Sequence, residues 1–268
     1  MRVVVTGASG RLGRIVMRKL AERGDDVVGL DLEPGPRVVQ ADLGDAGAVF
    51  SVLAGAGAVV HLGAIPAPGS LPDAIVYAKN VTGTFHVFDA AAKLGIRRVV
   101  SASSLSAYGY PFQRVWSEPD YFPLTEAHPL RPQDPYGLSK QAGEQIAEAF
   151  ARAGDGSAVS LRFSHLVSEE TVPRWRQLMA DRPRTAAASL WSHVYDDDVA
   201  DACLRCLDVE VDGHLALLLT AAVTMAPQPT NDLLDEFFPH VPRTPGDDPH
   251  WSLVDCSLAR ETIGWEPR

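Results

Sequence analysis

The chain has 268 residues, of which 46% are hydrophobic and 22% charged, so wholesale disorder is excluded and a full core is expected. Lys and Arg number 24 against 34 Asp and Glu; a net charge of −10 repels phosphate backbones and anionic membranes, so neither nucleic acid nor membrane is an expected partner. The 3 cysteines cannot form a disulfide framework, no apolar run is long enough to span a membrane, and the chain opens straight into a strand without a signal peptide, so a reduced, cytoplasmic setting is expected.

The first 160 residues alternate apolar strands with helical stretches. Val3 to Val5 is a β-branched strand, followed by a glycine-rich turn and a helix over residues 11 to 23 with Leu12, Ile15, Val16, Met17 and Leu20 as its buried stripe. Strands follow at Val27 to Asp31, Arg37 to Gln40 and Ala58 to Leu62; a long helix spans 74 to 93. Arg97 to Ser101 is the fifth strand, 136 to 152 a helix and Ser157 to Phe163 the sixth strand. Such alternation predicts a parallel sheet covered on both faces. After Phe163 the pattern loosens, although a helix near 196 to 207 and a strand at His214 to Leu219 still read as core. Cys203 and Cys206 fall inside that helix and read as small apolar residues, not as a metal or redox pair; no metal site is expected. The expected division is a domain over 1–163, to which 194–220 return, and a small lid from 164–193 and 221–268.

Two motifs carry chemistry. Gly7, Gly10 and Gly13 stand between a strand and a helix, where backbone N–H groups and the helix N-terminus favour a diphosphate. Asp31, ending the second strand, is placed to accept hydrogen bonds from a ribose 2′-OH and to repel a 2′-phosphate, which points to NAD over NADP. Arg11 or Arg37 could instead meet such a phosphate. Tyr136 and Lys140 stand four apart, on one face of a helix. The ammonium is expected to favour the phenolate and bring Tyr136 towards neutral pH. Ser103 and Ser104 follow the fifth strand, where ligands of parallel sheets collect.

These residues, with Asp42-Leu43, His61 to Ala64, Asn80 to Gly83, Ser103 to Gly109 and Tyr195 to Val199, run in one order over about 200 residues. In that order the chain resembles an extended short-chain dehydrogenase/reductase, the superfamily of NAD-dependent sugar epimerases and dehydratases. The resemblance implies an α/β fold, a Rossmann-like doubly wound parallel sheet with a small C-terminal substrate-binding lid. It implies NAD as cofactor and Ser104, Tyr136 and Lys140 as the catalytic residues, with Lys140 also on the nicotinamide ribose. The implied cofactor set is Gly7, Ser9, Gly10, Arg11, Leu12, Gly13, Asp31, Asp42, Leu43, Leu62, Gly63, Ala64 and Asn80, together with Tyr136 and Lys140. Asp42 and Leu43 would contact adenine; Leu62 to Ala64 would line the diphosphate and ribose.

Leu105-Ser106 follows Ser104 where dehydratases of this kind carry an acidic pair, which argues against water elimination. His165 stands where sugar-nucleotide epimerases have Asn, and the short C-terminal region leaves a small lid. The compact chain is similar to uronate dehydrogenases, which oxidise an aldohexuronic acid to a lactone with NAD. By that resemblance Arg174 is the expected substrate arginine, gripping a carboxylate; Ser103, Ser106 and His165 are further expected substrate contacts, although uronate dehydrogenases carry Asn-His where this chain has Leu105-Ser106 and Ser where it has His165. The expected function is hydride transfer between NAD and a small polar substrate, a sugar or a uronic-acid-like molecule; the alternative is a nucleotide-sugar epimerase with tightly held NAD. A homodimer is also expected, built on the alanines at 90 to 92 and at Ala142, Ala147, Ala149 and Ala151; the alternative is that these alanines face the sheet of their own subunit.

Overall fold

The β-branched runs of the sequence become the middle strands of one parallel sheet. The computed structural model describes residues 1–267. Its elements are β1 (Arg2–Thr6), α1 (Arg11–Glu22), β2 (Asp26–Asp31), β3 (Val38–Gln40), α2 (Ala46–Leu53), β4 (Ala58–His61), α3 (Asp73–Leu94) and β5 (Arg98–Ala102). After a 3₁₀ turn at Leu105–Tyr108 come α4 (Pro135–Arg152), β6 (Ser157–Phe163), β7 (His165–Val167), α5 (Val172–Asp181), α6 (Pro183–Ala188), β8 (His193–Tyr195), α7 (Asp196–Asp208), β9 (His214–Leu219), α8 (Thr230–Phe237) and α9 (Ser257–Ile263). Seven strands pair in parallel in the order β3-β2-β1-β4-β5-β6-β9. The order reverses between β1 and β4, which opens a crevice at their carboxyl ends.

Successive strand residues point to opposite faces, and both faces are covered. Val3, Val5, Val60 and Val100 pack with Val16 and Leu20 of α1 and with Val199, Cys203 and Cys206 of α7. Val4, Val59 and Val99 face the other way, against Val87, Phe88 and Ala91 of α3 and Ala147 and Phe150 of α4. The expected doubly wound sheet is therefore present. Cys203 and Cys206 are core residues, and burial pushes both thiols up.

A second apolar cluster joins Tyr108, Phe122 and Leu124 to Val172, Met179, Trp191, Leu234, Phe238 and Trp251. Two expected boundaries change. The segment 105–124 contributes to this second core, tied to the C-terminal region by bridges from Phe122 to Arg243 and from Leu124 to Val254. In the other direction, Ala259, Ile263 and Trp265 pack into the sheet's own core, and Trp265 Nε1 donates to Asp198 O at 2.8 Å. Among the described residues, no helix is long and apolar enough to cross a membrane.

The expected pairing surface is corrected as well. Ala90, Ala91 and Ala147 lie in their own subunit's core, because small side chains let α3 and α4 approach each other and the sheet. Ala149 is exposed, but the large apolar groups left outside on these helices are Ile75, Tyr77, Phe85 and Leu138. Helix α2 is absent from the sequence reading: its eight residues are nearly all apolar or small, so no amphipathic period marks them.

The crossing of α1 over β1 depends on Gly13, where a Cβ would stand 2.0 Å from Gly7 O and 2.8 Å from the Ala8 Cα. Backbone must move to accept it, so Gly13→Ala should cost about 2–3 kcal/mol, the upper range of overpacking. Gly143 in α4 differs: its Cβ would meet only Thr84 Cγ2 at 3.6 Å, an ordinary contact. Gly143→Ala should be neutral or stabilise by up to about 1 kcal/mol. Urea unfolding of both variants checks the pair.

Candidate active site

At the crevice, a cavity of about 330 Å³ is lined by Gly7, Ser9, Gly10, Leu30 to Glu33, Ala41 to Leu43, Leu62 to Ile65, Lys79 and Asn80. Gly7 has φ +69, and a Cβ there would stand 2.7 Å from Gly63 N, so only glycine brings the two loops together. Ser9 N donates to Asp31 Oδ2 at 2.9 Å and Ser9 Oγ to Glu33 O at 2.8 Å, which closes the turn onto the end of β2. Asp31 Oδ1 accepts from Glu33 N at 3.1 Å. Across the cavity Asp42 accepts from Gly44 N and pairs with Lys79 at 3.2 Å; these interactions hold its carboxyl below the usual range. Free N–H groups at the start of α1, apolar walls and an acidic far end suit a dinucleotide.

The second group of residues is assembled where α4 meets the end of β5. Asp134 caps α4 by accepting from Tyr136 N at 3.0 Å and Gly137 N at 2.9 Å, with Pro135 in the first turn. Lys140, one turn on, donates from Nζ to Ala102 O at 2.8 Å, and the same Nζ stands 5.5 Å from the Tyr136 ring centroid. Ser104 accepts from Ser106 N at 3.0 Å and donates to Ser106 Oγ at 3.1 Å, and Ser104 and Tyr136 are hydrogen-bonded. Phe112 meets the Tyr136 ring edge-on at 6.1 Å. The structure thus brings Ser104, Ser106, Tyr136 and Lys140 together.

The electrostatics differ from expectation. Burial is the largest influence on Tyr136 and pushes it up to about 12, although the Ser104 hydrogen bond works the other way. The expected descent towards neutrality is not found: burial of the ring outweighs the Ser104 hydrogen bond, and the Asp134 carboxylate pushes the same way as burial. Burial also pushes Lys140 down to about 8, opposed by Glu144. His61 donates or accepts at Thr6 Oγ1 (2.7 Å) and Thr84 Oγ1 (3.1 Å); burial and the Lys140 charge push it down to about 3.

Two of the expected contacts, Ser103 and Arg11, are engaged by other partners. Ser103 donates to Glu144 Oε1 and lines the small space beside Lys140. Arg174 is exposed on α5 and makes no ion pair among the described residues. His165 packs edge-on against Trp175, with centroids 4.8 Å apart. Arg11 reaches Asp196 Oδ2 at 2.7 Å and Leu166 O at 3.1 Å, so its guanidinium is turned from the glycine turn to α7. Leu12 lies in the buried stripe of α1, and Gly13 serves the helix–strand crossing. Asn80 acts as a clamp: its Oδ1 accepts from Ile65 N at 2.8 Å, and its Nδ2 donates to Ile65 O and Ser139 Oγ, each at 3.1 Å. Glu144 and Arg162, a buried pair beside this site, were missed; Glu144 carried a signal, since it continues the four-residue spacing from Tyr136 through Lys140.

A family model described as the NAD dependent epimerase/dehydratase family matches residues 3–215. A uronate dehydrogenase of Pseudomonas putida is 31% identical over 169 residues, covering 60% of this chain. That match spans 59% of the relative's own length, short of two thirds. A UDP-glucose 4-epimerase of Streptomyces lividans is 25% identical over 315 residues, covering 99% of this chain and 91% of the relative. A short-chain dehydrogenase/reductase superfamily protein from Agrobacterium tumefaciens, solved with bound NAD, aligns with a TM-score of 0.77 at 28% identity, covering 100% of this chain and 93% of that one.

The upward shift of Tyr136 is open to direct measurement. Ultraviolet titrations of the wild type and Tyr136→Phe should show the same tyrosinate signal up to about pH 11, because the phenol ionises only near 12. A tyrosinate present in the wild type below pH 10 and missing from the variant would contradict the burial argument.

Proposed function

The chain belongs to the NAD-dependent epimerase/dehydratase family, and on that premise we propose that it is a dehydrogenase moving a hydride between NAD and a hydroxyl or carbonyl carbon of a small polar substrate, a sugar or a uronic-acid-like molecule. The observation that carries this reading is the meeting of Ser104, Tyr136 and Lys140 at the end of β5. The space of Lys140 and the large cavity share Asn80 as a wall.

The residues fit the cofactor. Glycines at 7 and 10 keep the backbone open to a diphosphate, Asp31 has carboxylate lone pairs for a ribose, Leu43 would contact the adenine and Leu62 would line the diphosphate and ribose. Bound there, NAD supplies the acceptor for the hydride. In the reducing direction Tyr136, buried and neutral near pH 7, gives its proton to the carbonyl oxygen; in the oxidising direction its phenolate, left once that proton has passed out to solvent, takes the proton of the substrate hydroxyl. Ser104 fixes that oxygen beside the phenol, with Ser106 orienting the Ser104 hydroxyl. Lys140 supplies the positive charge nearby and donors for a ribose. The region around β7, β8, α5, α6 and α8, packed on the second core, is the proposed substrate-binding part.

A second reading, an epimerase, is favoured by the near full-length match to the Streptomyces lividans enzyme. The two separate in one experiment. The purified protein is assayed with NAD and a panel of sugars, uronic acids and nucleotide sugars for net NADH. A dehydrogenase turns NAD over and prefers it to NADP; an epimerase retains cofactor and yields no net NADH. On the substrate so found, Tyr136→Phe should lower kcat by about 10²–10⁴ and leave NAD affinity nearly unchanged. A variant with wild-type kcat would remove Tyr136 from the mechanism.

We also propose that the protein is a homodimer, paired through the outer faces of α3 and α4. Support comes from Phe85, 53% exposed, with Ile75, Tyr77 and Leu138 on the same two helices. Light scattering should give twice the chain mass for the wild type and a monomer for Phe85→Glu; a monomeric wild type at micromolar concentration would reject the dimer.

A further inference from the structure

Lys140 is a buried cation with no ion pair among the described residues; its Nζ meets a carbonyl, Ala102 O. It lines a small polar space of about 10 Å³, the measure of a single water, together with His61, Ser101, Ser103, Glu144 and Ser160. The titratable neighbours are few. Tyr136 and Glu144 share its helix, His61 ends β4, Arg162 on β6 stands behind Glu144, and His214 on β9 bonds Ser160 at 2.9 Å and interacts with the charges of Glu144 and Arg162; α3 presents only the uncharged Asn80 and Thr84.

Glu144 is held from two sides. Arg162 donates to it twice, Nε to Oε1 at 2.9 Å and Nη2 to Oε2 at 2.7 Å, and Ser103 donates to Oε1. Arg162 is itself anchored by Tyr108 Oη at 2.7 Å and Glu126 O at 3.0 Å. Burying such a pair costs more than burying an apolar pair of equal volume, so packing alone does not call for it. Its carboxylate opens onto the same space as the Lys140 ammonium, one helical turn away, where an opposite charge acts most strongly.

We propose that Glu144 is a positioning residue: it holds Lys140 in its ammonium form and, through Ser103, fixes the strand end that carries Ser104. The proposal rests on the reading of Lys140 as part of an NAD site. The dissociation constant of NAD is measured across pH for the wild type, Glu144→Asp, Glu144→Gln and Lys140→Met. Affinity of the wild type should fall as pH rises through about 8, where Lys140 loses its proton. In Glu144→Gln the fall should begin about one pH unit lower, because the nearby negative charge is gone. Glu144→Asp should restore the wild-type profile, and Lys140→Met should flatten it. A Glu144→Gln profile that coincides with the wild type overturns the proposal.

Glu144→Gln leaves Arg162 unpaired and risks failing to fold. The double variant Glu144→Gln/Arg162→Met removes both charges and must shift the profile in the same direction. Failure of the NAD reading shows separately, as a wild type that does not bind NAD. Glu144 is then judged by urea midpoints of each protein against its own Lys140→Met counterpart. A lysine whose folded value lies below its unfolded value makes stability rise with pH between the two. The rise should begin near pH 8 in the wild type and about one unit lower without Glu144; an unchanged onset overturns the proposal.

Discussion

The seating of α4 on the turn after β5 is the contact on which the site depends. Gly137 admits no side chain: a Cβ there would stand 2.4 Å from Ser106 O and 2.9 Å from Asp134 Oδ2. Backbone therefore lies on backbone, and the Tyr136 ring is delivered to Ser104 at the helix's first turn. Asp134 makes this approach possible by satisfying two N–H groups that a buried helix start would otherwise strand. One turn further, Lys140 ties the same helix to the last carbonyl of β5. Three chemical groups from two chain segments are set by a single seam.

The seam is connected to the glycine turn through side chains that touch no reacting atom. Asn80 of α3 clamps both polar groups of Ile65 and reaches Ser139, whose hydroxyl donates to Tyr136 O at 2.7 Å. Thr6 at the end of β1 takes a proton or gives one at His61 and accepts from Gly63 N at 3.2 Å. The two cavities are thus fixed relative to each other by amides and hydroxyls, groups that hold geometry without adding charge. Burial then sets the electrostatics. It disfavours the charged form of every group it covers, so Tyr136 rises, Lys140 falls and His61 stays neutral. Among the described residues, Glu144 is the charge that works against this and raises Lys140.

Much of this was legible from short-range pattern. The β-branched runs, the helical stripes of α1, α4 and α7, the glycine spacing and the Tyr136–Lys140 interval each follow from periods of two or about four residues. Those periods are local properties of the chain, and they placed the sheet, its main helices and the two motifs. Elements without a period escaped: α2 is apolar all round, and β7 and β8 are three residues each, paired only through a partner far along the chain.

Position in sequence also left open which way a side chain turns and what surrounds it. Ser103 and Ser104 are adjacent just past the end of β5, yet one meets Glu144 and the other Tyr136, because Ser104 caps the 3₁₀ turn at Leu105–Tyr108. Arg11 stands beside the glycine turn and is claimed by Asp196, 185 residues later. Ala90, Ala91 and Ala147 of α3 and α4 looked suited to another subunit, but they pack against their own sheet. The proton affinity of Tyr136 was misjudged for the same reason: the interval to Lys140 is local, whereas the desolvation that dominates at the phenol comes from the whole fold packed around the ring. Composition and spacing determined the architecture and the chemical groups; only tertiary packing, which sets direction and dielectric, decided what each group faces and which charge it carries.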